Sequence, residues 1–298
     1  MKPARFEYHV PDTVEEAVGL LAELGDEAKV LAGGQSLIPM LALRLAAFDH
    51  LIDVGRIAGL TGISRENGTV VVGAATTDAT VEQSAGPVAA VPLLVKATPL
   101  IGHFQIRNRG TVGGSIAHAD PAAEYPAVTV ALDAEMEAAS RAGRRTIPAS
   151  AFYRGYWATA LEPDELLVAV RFPVWQGRCG FAVREFARRH GDFAVAGAAV
   201  GVQLDTDDRV SRCALALFGL AATPVRASTA ERAVLSRGSD VSAEEVGHLA
   251  VADLAEVAGD VHGSADYRKR VGAAMVARAW REAVAEARVA VDGEDRHG

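Results

Sequence analysis

Cysteine is nearly missing from this sequence: Cys179 and Cys213 are the only two among 298 residues. Two thiols cannot supply the four ligands of a thiolate-bound iron–sulfur cluster or a disulfide framework, and free cysteine is most often a small buried residue. Basic residues are also outnumbered, with 30 Lys and Arg against 38 Asp and Glu, a formal net charge of −8. That balance excludes a surface built to neutralise nucleic-acid phosphates, and the basic runs at 141–145 and 184–190 are too short to reverse it. Long apolar runs are absent as well. The longest nearly apolar stretch, 193–204, falls short of the ~20 residues that span a bilayer. The N-terminus, MKPARFEYHVPD, has neither the apolar core nor the small-residue cleavage site of a signal peptide, so the expectation is a cytoplasmic protein. There is no internal repeat and no low-complexity segment.

What is present is apolar mass and punctuation. Half of the residues are hydrophobic, enough at this length for two or three compact units. Thr13 and Glu16 have capping-box spacing before a helical run, and Gly25 stands where that helix should stop. Residues 29–32 and 51–54 then read as short strands around a glycine loop, a setting in which α/β sheets often bind ligands. Asn67-Gly68 is a hairpin signal between strand-like runs. Helices are expected over 92–104 and 125–132 with a second glycine loop between them, and strands over 134–139 and 166–172. Three further strands, 180–188, 194–204 and 209–220, precede a helix capped by Ser242 and Glu245 and a long amphipathic helix over 265–287 after Ser264.

Two glycine pairs stand out: Ala32-Gly33-Gly34-Gln35-Ser36-Leu37, and Thr111-Val112-Gly113-Gly114-Ser115 after the basic stretch QIRNRG. Backbone N–H groups are fixed dipoles that can converge on phosphate oxygens where no Cβ stands in the way, and flanking hydroxyls add donors. Neither stretch has the spacing of G-x-G-x-x-G or of a Walker loop, which rules out those two cradles. Paired glycines alone are more often ordinary turns than ligand cradles.

The longer stretches decide between these readings. AGGQSLIPML and GHFQIRNRGTVGGSIAHADPAAEYP together resemble the two FAD-binding signatures of the medium, flavin-carrying subunit in the xanthine dehydrogenase and aerobic carbon monoxide dehydrogenase family of molybdenum hydroxylases. ARRHGDFAVAGAAV and DVHGSADYRKRV resemble that family's C-terminal domain in the same order, so the likeness covers nearly the whole chain. It implies an α+β fold: a two-subdomain PCMH-type FAD-binding domain over 1–174 (about 1–55 and 56–174). A carbon monoxide dehydrogenase flavoprotein-like C-terminal domain should follow over 175–290, with a three-stranded antiparallel sheet and helices, and then a flexible tail, 291–298.

The resemblance also implies the site. Residues 32–37 and 111–115 would clamp the FAD diphosphate; Glu124 would contact FAD, Ile101 and Leu167 would lie beside its rings, and Arg184 would be a basic group near the flavin. Phe193 is open to two readings, a ring stacked on the flavin or a core aromatic at a strand start. His103, His118 and Asp120 lack the spacing of zinc motifs, and no metal is expected in this chain. Leu41-Ala42 stands where many members of the family have Met-Lys, a change outside the glycines that bears on a contact surface.

The implied function is an oxidoreductase subunit with FAD as its own cofactor. A small subunit with two [2Fe-2S] clusters would pass electrons to that FAD, and a large molybdopterin subunit would oxidise the substrate, in a dimer of heterotrimers. The small subunit should dock near residues 188–193. Two other readings remain: a self-contained flavin oxidoreductase on the same fold, and a non-catalytic assembly protein that keeps the fold.

Overall fold

The computed structural model describes residues 2–237 and 241–290; the expected flexible tail, 291–298, lies outside the described residues. The chain opens with β1 (Glu7–His9), α1 (Val14–Leu24), β2 (Ala28–Leu31), α2 (Leu37–Ala42) and β3 (His50–Asp53). The three strands form a parallel sheet in the order β1-β3-β2. The capping box forms as expected: the Glu16 N–H donates to Thr13 Oγ1 at 3.1 Å and Glu16 Oε2 accepts from the Asp12 N–H at 2.8 Å. Helix α1 buries Val14, Ala17, Val18 and Leu21 against Ile52, Ala28 and Val168.

The middle of the chain contains β4 (Ile63–Glu66), β5 (Thr69–Gly73), α3 (Asp78–Gln83), α4 (Pro92–Ala97), α5 (Phe104–Arg107), α6 (Val112–His118) and α7 (Glu124–Ala131). Then come β6 (Glu135–Ser140), β7 (Gly143–Pro148), α8 (Ala149–Phe152), β8 (Tyr153–Gly155), β9 (Ala158–Thr159) and β10 (Leu166–Pro173). Five of these strands form an antiparallel sheet, β4-β5-β10-β6-β7, and β8 pairs with β9. Asn67 and Gly68, at φ +47° and +78°, make the expected tight turn between β4 and β5.

The expected single helix over 92–104 is broken. Pro99 lies in a 3-10 turn, Thr98–Leu100, and Gly102 takes φ +49°, so the chain bends before α5 starts. The second glycine pair also departs from expectation. It occupies the first turn of α6 rather than a loop, because Thr111 caps that helix by accepting from the Gly114 N–H at 3.1 Å.

The last part contains β11 (Arg178–Phe186), β12 (Ala196–Leu204), β13 (Val210–Phe218), β14 (Val225–Arg226), α9 (Ser228–Arg237), α10 (Ala243–Ala252) and α11 (Ala265–Val289). The three long strands expected here form an antiparallel sheet, to which the two-residue β14 adds a fourth at the edge. Cys213 is buried in β13 and Cys179 is half-buried in β11, both as free thiols.

Helix α7 is buried along its whole length, packed against α4, α6 and the C-terminal strands β12 and β13. That accounts for its sequence, EYPAVTVA, which is buried on all sides and has no amphipathic period. Arg226 locks the two halves together. Its Nη1 donates to Val130 O at 2.8 Å and Ala131 O at 3.1 Å, so a cation caps the C-terminal end of α7.

Candidate functional site

The first glycine stretch connects the end of β2 to the start of α2. Gly34 has φ +74°, and the Gln35 amide donates to Gly33 O at 3.2 Å, which rounds the loop. Among the described residues, the backbone N–H groups of Gly33, Gly34, Gln35 and Ser36 find no protein acceptor. The loop therefore presents four consecutive donors. Leu37 begins α2, and Ser36 precedes it without using its hydroxyl as a cap.

The second stretch is built differently. The Val112 N–H donates to Thr76 O at 3.0 Å, Gly113 to Ala74 O at 2.9 Å, Gly114 to Thr111 Oγ1 at 3.1 Å, and Ser115 to Thr111 O at 3.0 Å. Its backbone donors are thus committed within the protein, and the idea that both glycine pairs offer bare N–H groups holds only for the first. Glycine is required here for packing, since a Cβ on Gly113 would lie 2.4 Å from Ala74 Cβ. What this segment still offers is the Ser115 hydroxyl, the hydroxyl proton of Thr111 and the positive end of α6.

The two stretches meet. A Cβ on Gly33 would lie 2.0 Å from Arg109 O and 2.9 Å from Gly110 Cα, and one on Gly114 would lie 3.7 Å from Ala32 Cβ. Residues separated by more than seventy positions therefore form one surface, with donors from one side and hydroxyls from the other.

The remaining expected residues divide into two groups. Ile101 sits on a turn held by Arg107, whose Nη1 donates to Ile101 O at 3.2 Å and Gly102 O at 3.3 Å while Glu82 grips the other edge of the guanidinium. Neither Arg107 nor Glu82 was legible as a site residue; only the basic QIRNRG pointed there. His103 packs on His190 with ring centroids 5.8 Å apart, and Gly191 lies so close to His103 that a Cβ would meet its ring at 2.7 Å. The RRHGDF segment is thereby folded onto IGHF, and Phe193 and Phe104 leave their rings exposed at 73% and 61%. Leu167 is buried in the core at a β-bulge between Leu167 and Ala169, and the Val168 carbonyl there accepts from Ala74, the residue under Gly113.

Arg184 does not join the others. It points to the α11 face of β11, where it donates to Glu282 at 2.7 Å and makes a 2.6 Å ion pair with the same carboxylate. Strand alternation then turns its neighbour, Glu185, to the opposite face, toward Glu124.

Three carboxyls lie around the site, Asp78 and Glu124 buried and Glu185 half-buried. Burial, reinforced by the nearby Glu185 charge, pushes the Glu124 carboxyl up to about 8, and burial pushes Glu185 up to about 7. Burial likewise raises Asp78, beneath Gly110, to about 7, against the lowering effect of Arg107. Asp78 Oδ1 and Glu185 Oε2 have no hydrogen-bond partner among the described residues.

Such groups hold protons in the folded chain that the unfolded chain releases near 4.5, so their stabilising contribution is complete below that value and is lost as the pH rises through 7 to 8. The cofactor-free chain should need less urea to unfold at pH 8.5 than at pH 5.5, with Glu124 alone accounting for on the order of 3 kcal/mol. Glu124→Gln should flatten that slope; an unchanged slope in the variant would show that Glu124 is ionised throughout.

The DVHGSADYRKRV segment supports the site from behind. Arg268, itself buried, donates to Val195 O and Gly219 O, each at 2.9 Å, and to Asp260 at 2.6 Å. Gly219 N–H in turn donates to Pro121 O at 2.7 Å, which ties the DPAAEYP segment to the C-terminal sheet.

Comparison with known proteins identifies this arrangement. Residues 4–175 match the family model of the FAD binding domain in molybdopterin dehydrogenase, and residues 181–283 match the CO dehydrogenase flavoprotein C-terminal domain. The class these matches define is an FAD-binding chain with a dedicated C-terminal domain. The chain is 42% identical over 279 residues to the carbon monoxide dehydrogenase medium chain of Hydrogenophaga pseudoflava, covering 94% of this chain and 97% of that one. It is 41% identical over 298 residues to the 6-hydroxypseudooxynicotine dehydrogenase complex subunit alpha of Paenarthrobacter nicotinovorans, covering 99% and 100%. Among solved structures it matches carbon monoxide dehydrogenase from Hydrogenophaga pseudoflava lacking the Mo-pyranopterin moiety of its molybdenum cofactor, with TM-score 0.92 and 42% identity over 96% of this chain and 99% of that one. The protein belongs to the molybdenum hydroxylase family of oxidoreductases, as an FAD-binding medium subunit.

Proposed function

We propose that this chain is the electron-transfer subunit of a three-part molybdenum hydroxylase, receiving electrons from [2Fe-2S] clusters of a small subunit and passing them to an external acceptor. A large molybdopterin subunit oxidises the substrate, and the assembly is a dimer of heterotrimers. The observation that carries the reading is the meeting of the two glycine stretches, with four unspent N–H donors at 33–36 opposite the hydroxyls of Thr111 and Ser115. A doubly charged diphosphate fits that donor set.

In this reading the Gly33–Ser36 backbone and the Ser36, Thr111 and Ser115 hydroxyls bind the diphosphate, with Ala32, Val112, Gly113 and Gly114 holding the two walls together and Leu37 starting the helix behind them. FAD, when bound, supplies a centre that takes up electrons singly and releases them in pairs. Glu124, raised to about 8, carries its proton at neutral pH and donates a hydrogen bond toward the cofactor. Ile101 and Leu167 shape the apolar side, and the exposed ring of Phe193 offers a stacking surface. Arg184, the basic group expected near the flavin, is paired with Glu282 and would reach the cofactor only by leaving that exposed pair.

The rim favours a partner. Phe193 and Phe104 are exposed beside Arg188, Arg189 and His190, and Ile38, Leu43 and Leu45 are exposed around α2. Exposed apolar groups in such number mark a contact surface. Among the described residues no helix is long and apolar enough to cross a membrane. The substrate is decided elsewhere: two relatives of nearly equal similarity carry the names of different substrates.

Acid precipitation of the purified, FAD-loaded chain tests the cradle. The flavin should appear in the supernatant, since backbone donors and hydroxyls hold it without a covalent bond. Flavin that stays with the pellet would favour a self-contained oxidase with a linked cofactor.

A further inference from the structure

A second constellation lies away from the flavin site, on the N-terminal sheet. Glu7 and His9 are two apart on β1 and so share one face, and the parallel register sets Glu7 beside His50 of β3. His9 Nε2 and His50 Nδ1 are 3.1 Å apart, Glu7 Oε2 is 3.4 Å from His50 Nδ1 and 4.0 Å from His9 Nε2, and the three ligand atoms fall within 4.8 Å of one another. Two ligands each about 2.0 Å from a tetrahedral ion are separated by about 3.3 Å. The His–His and His50–Glu7 spacings therefore already match tetrahedron edges, and only the Glu7–His9 edge is long.

The burial of the three side chains suits such a site. His9 and His50 are 24% and 16% exposed and held by the sheet, whereas Glu7, at 74%, is free to swing inward. The two imidazoles can share one hydrogen bond as they stand, and the Glu7 carboxylate at their edge pairs with them only at 3.4 and 4.0 Å. A cation would use all three. Two imidazole nitrogens and one carboxylate suit zinc and its neighbours in the first transition row, while calcium and magnesium prefer an all-oxygen shell.

We propose that Glu7, His9 and His50 bind a divalent transition-metal ion, with zinc the best fit, leaving at least one coordination position open to solvent. The ion would bind the short edge strand β1 to β3. It would leave the flavin site untouched, since among the described residues none of the three is hydrogen-bonded to the glycine stretches.

The test uses the untagged, FAD-loaded full chain, stripped with chelator and titrated with zinc sulfate by calorimetry, with a parallel thermal-unfolding series. The expected result is one saturable site per chain and a melting temperature that rises with zinc. His9→Ala and His50→Ala should each weaken binding by about tenfold or more, Glu7→Gln should weaken it less, and all three should keep their full FAD content. Zinc-free melting temperatures of the variants serve as the folding control. A wild-type chain with no saturable site, or one whose zinc affinity is unchanged in the His9→Ala/His50→Ala double variant, would overturn the assignment.

Discussion

Gly33→Ala should lose FAD and much of its stability together. The added methyl carbon would stand 2.0 Å from Arg109 O and 2.7 Å from its carbonyl carbon, and both of these are backbone atoms that no rotamer change can move aside. The two walls of the cradle must separate, and overpacking of this kind costs about 3 kcal/mol. Separation also carries the 33–36 donors away from Thr111 and Ser115, so affinity for FAD falls with the fold's margin. Gly34→Ala makes a graded comparison: it meets side chains only, Ile38 at 3.1 Å and Leu31 at 3.3 Å, and pays mainly for φ +74°, on the order of 1 kcal/mol. Gly59→Ala has open space around it and should behave as wild type. Urea unfolding and flavin fluorescence on the three variants give the ranking. Equal stability and FAD content in Gly33→Ala and Gly59→Ala would show that the stretches need not touch.

The sequence carried the parts of this fold that depend on neighbours in the chain. Thr13, Ser242 and Ser264 each accept the N–H three residues on, and Asn67-Gly68 turns the hairpin, because caps and tight turns are set within a few residues. Strands β11 to β13 were legible to within a few residues, since their buried runs are long and separated by turn signals. Strands β1, β7, β8 and β9 were not. They are short or largely exposed, and β1 exists only through its pairing with β3, some forty residues away.

The site was legible as two stretches and not as a mechanism of holding. Nothing local says that the Gly113 N–H is spent on Ala74 or that Gly33 leans on Arg109, because those facts belong to tertiary contacts. Arg184 and Glu185 illustrate the same limit from a strand: one step along β11 exchanges the α11 face for the face toward Glu124. Nothing local in the sequence marks Arg107 and Arg268 as buried, and only the fold shows them gripping the carbonyls of Ile101, Val195 and Gly219.

The second large effect concerns where electrons come from. With two cysteines, one buried in β13 and the other half-buried with its thiol pushed up to about 11, this chain has no ligand set for a cluster of its own. Under the proposed function, electrons from the substrate should therefore reach its FAD only through a partner, and the exposed segment from Arg188 to Phe193 is the expected point of entry. Arg189→Glu should slow that step by about tenfold while FAD stays bound, as charge reversal at a rim acts on encounter.

The most direct measurement follows flavin absorbance under anaerobic conditions after addition of the holoenzyme's substrate. The FAD-loaded chain alone should show no bleaching, and adding the small and large subunits should bleach the flavin within turnover. Bleaching of the isolated chain by an organic substrate, with FAD as its only cofactor, would contradict the account.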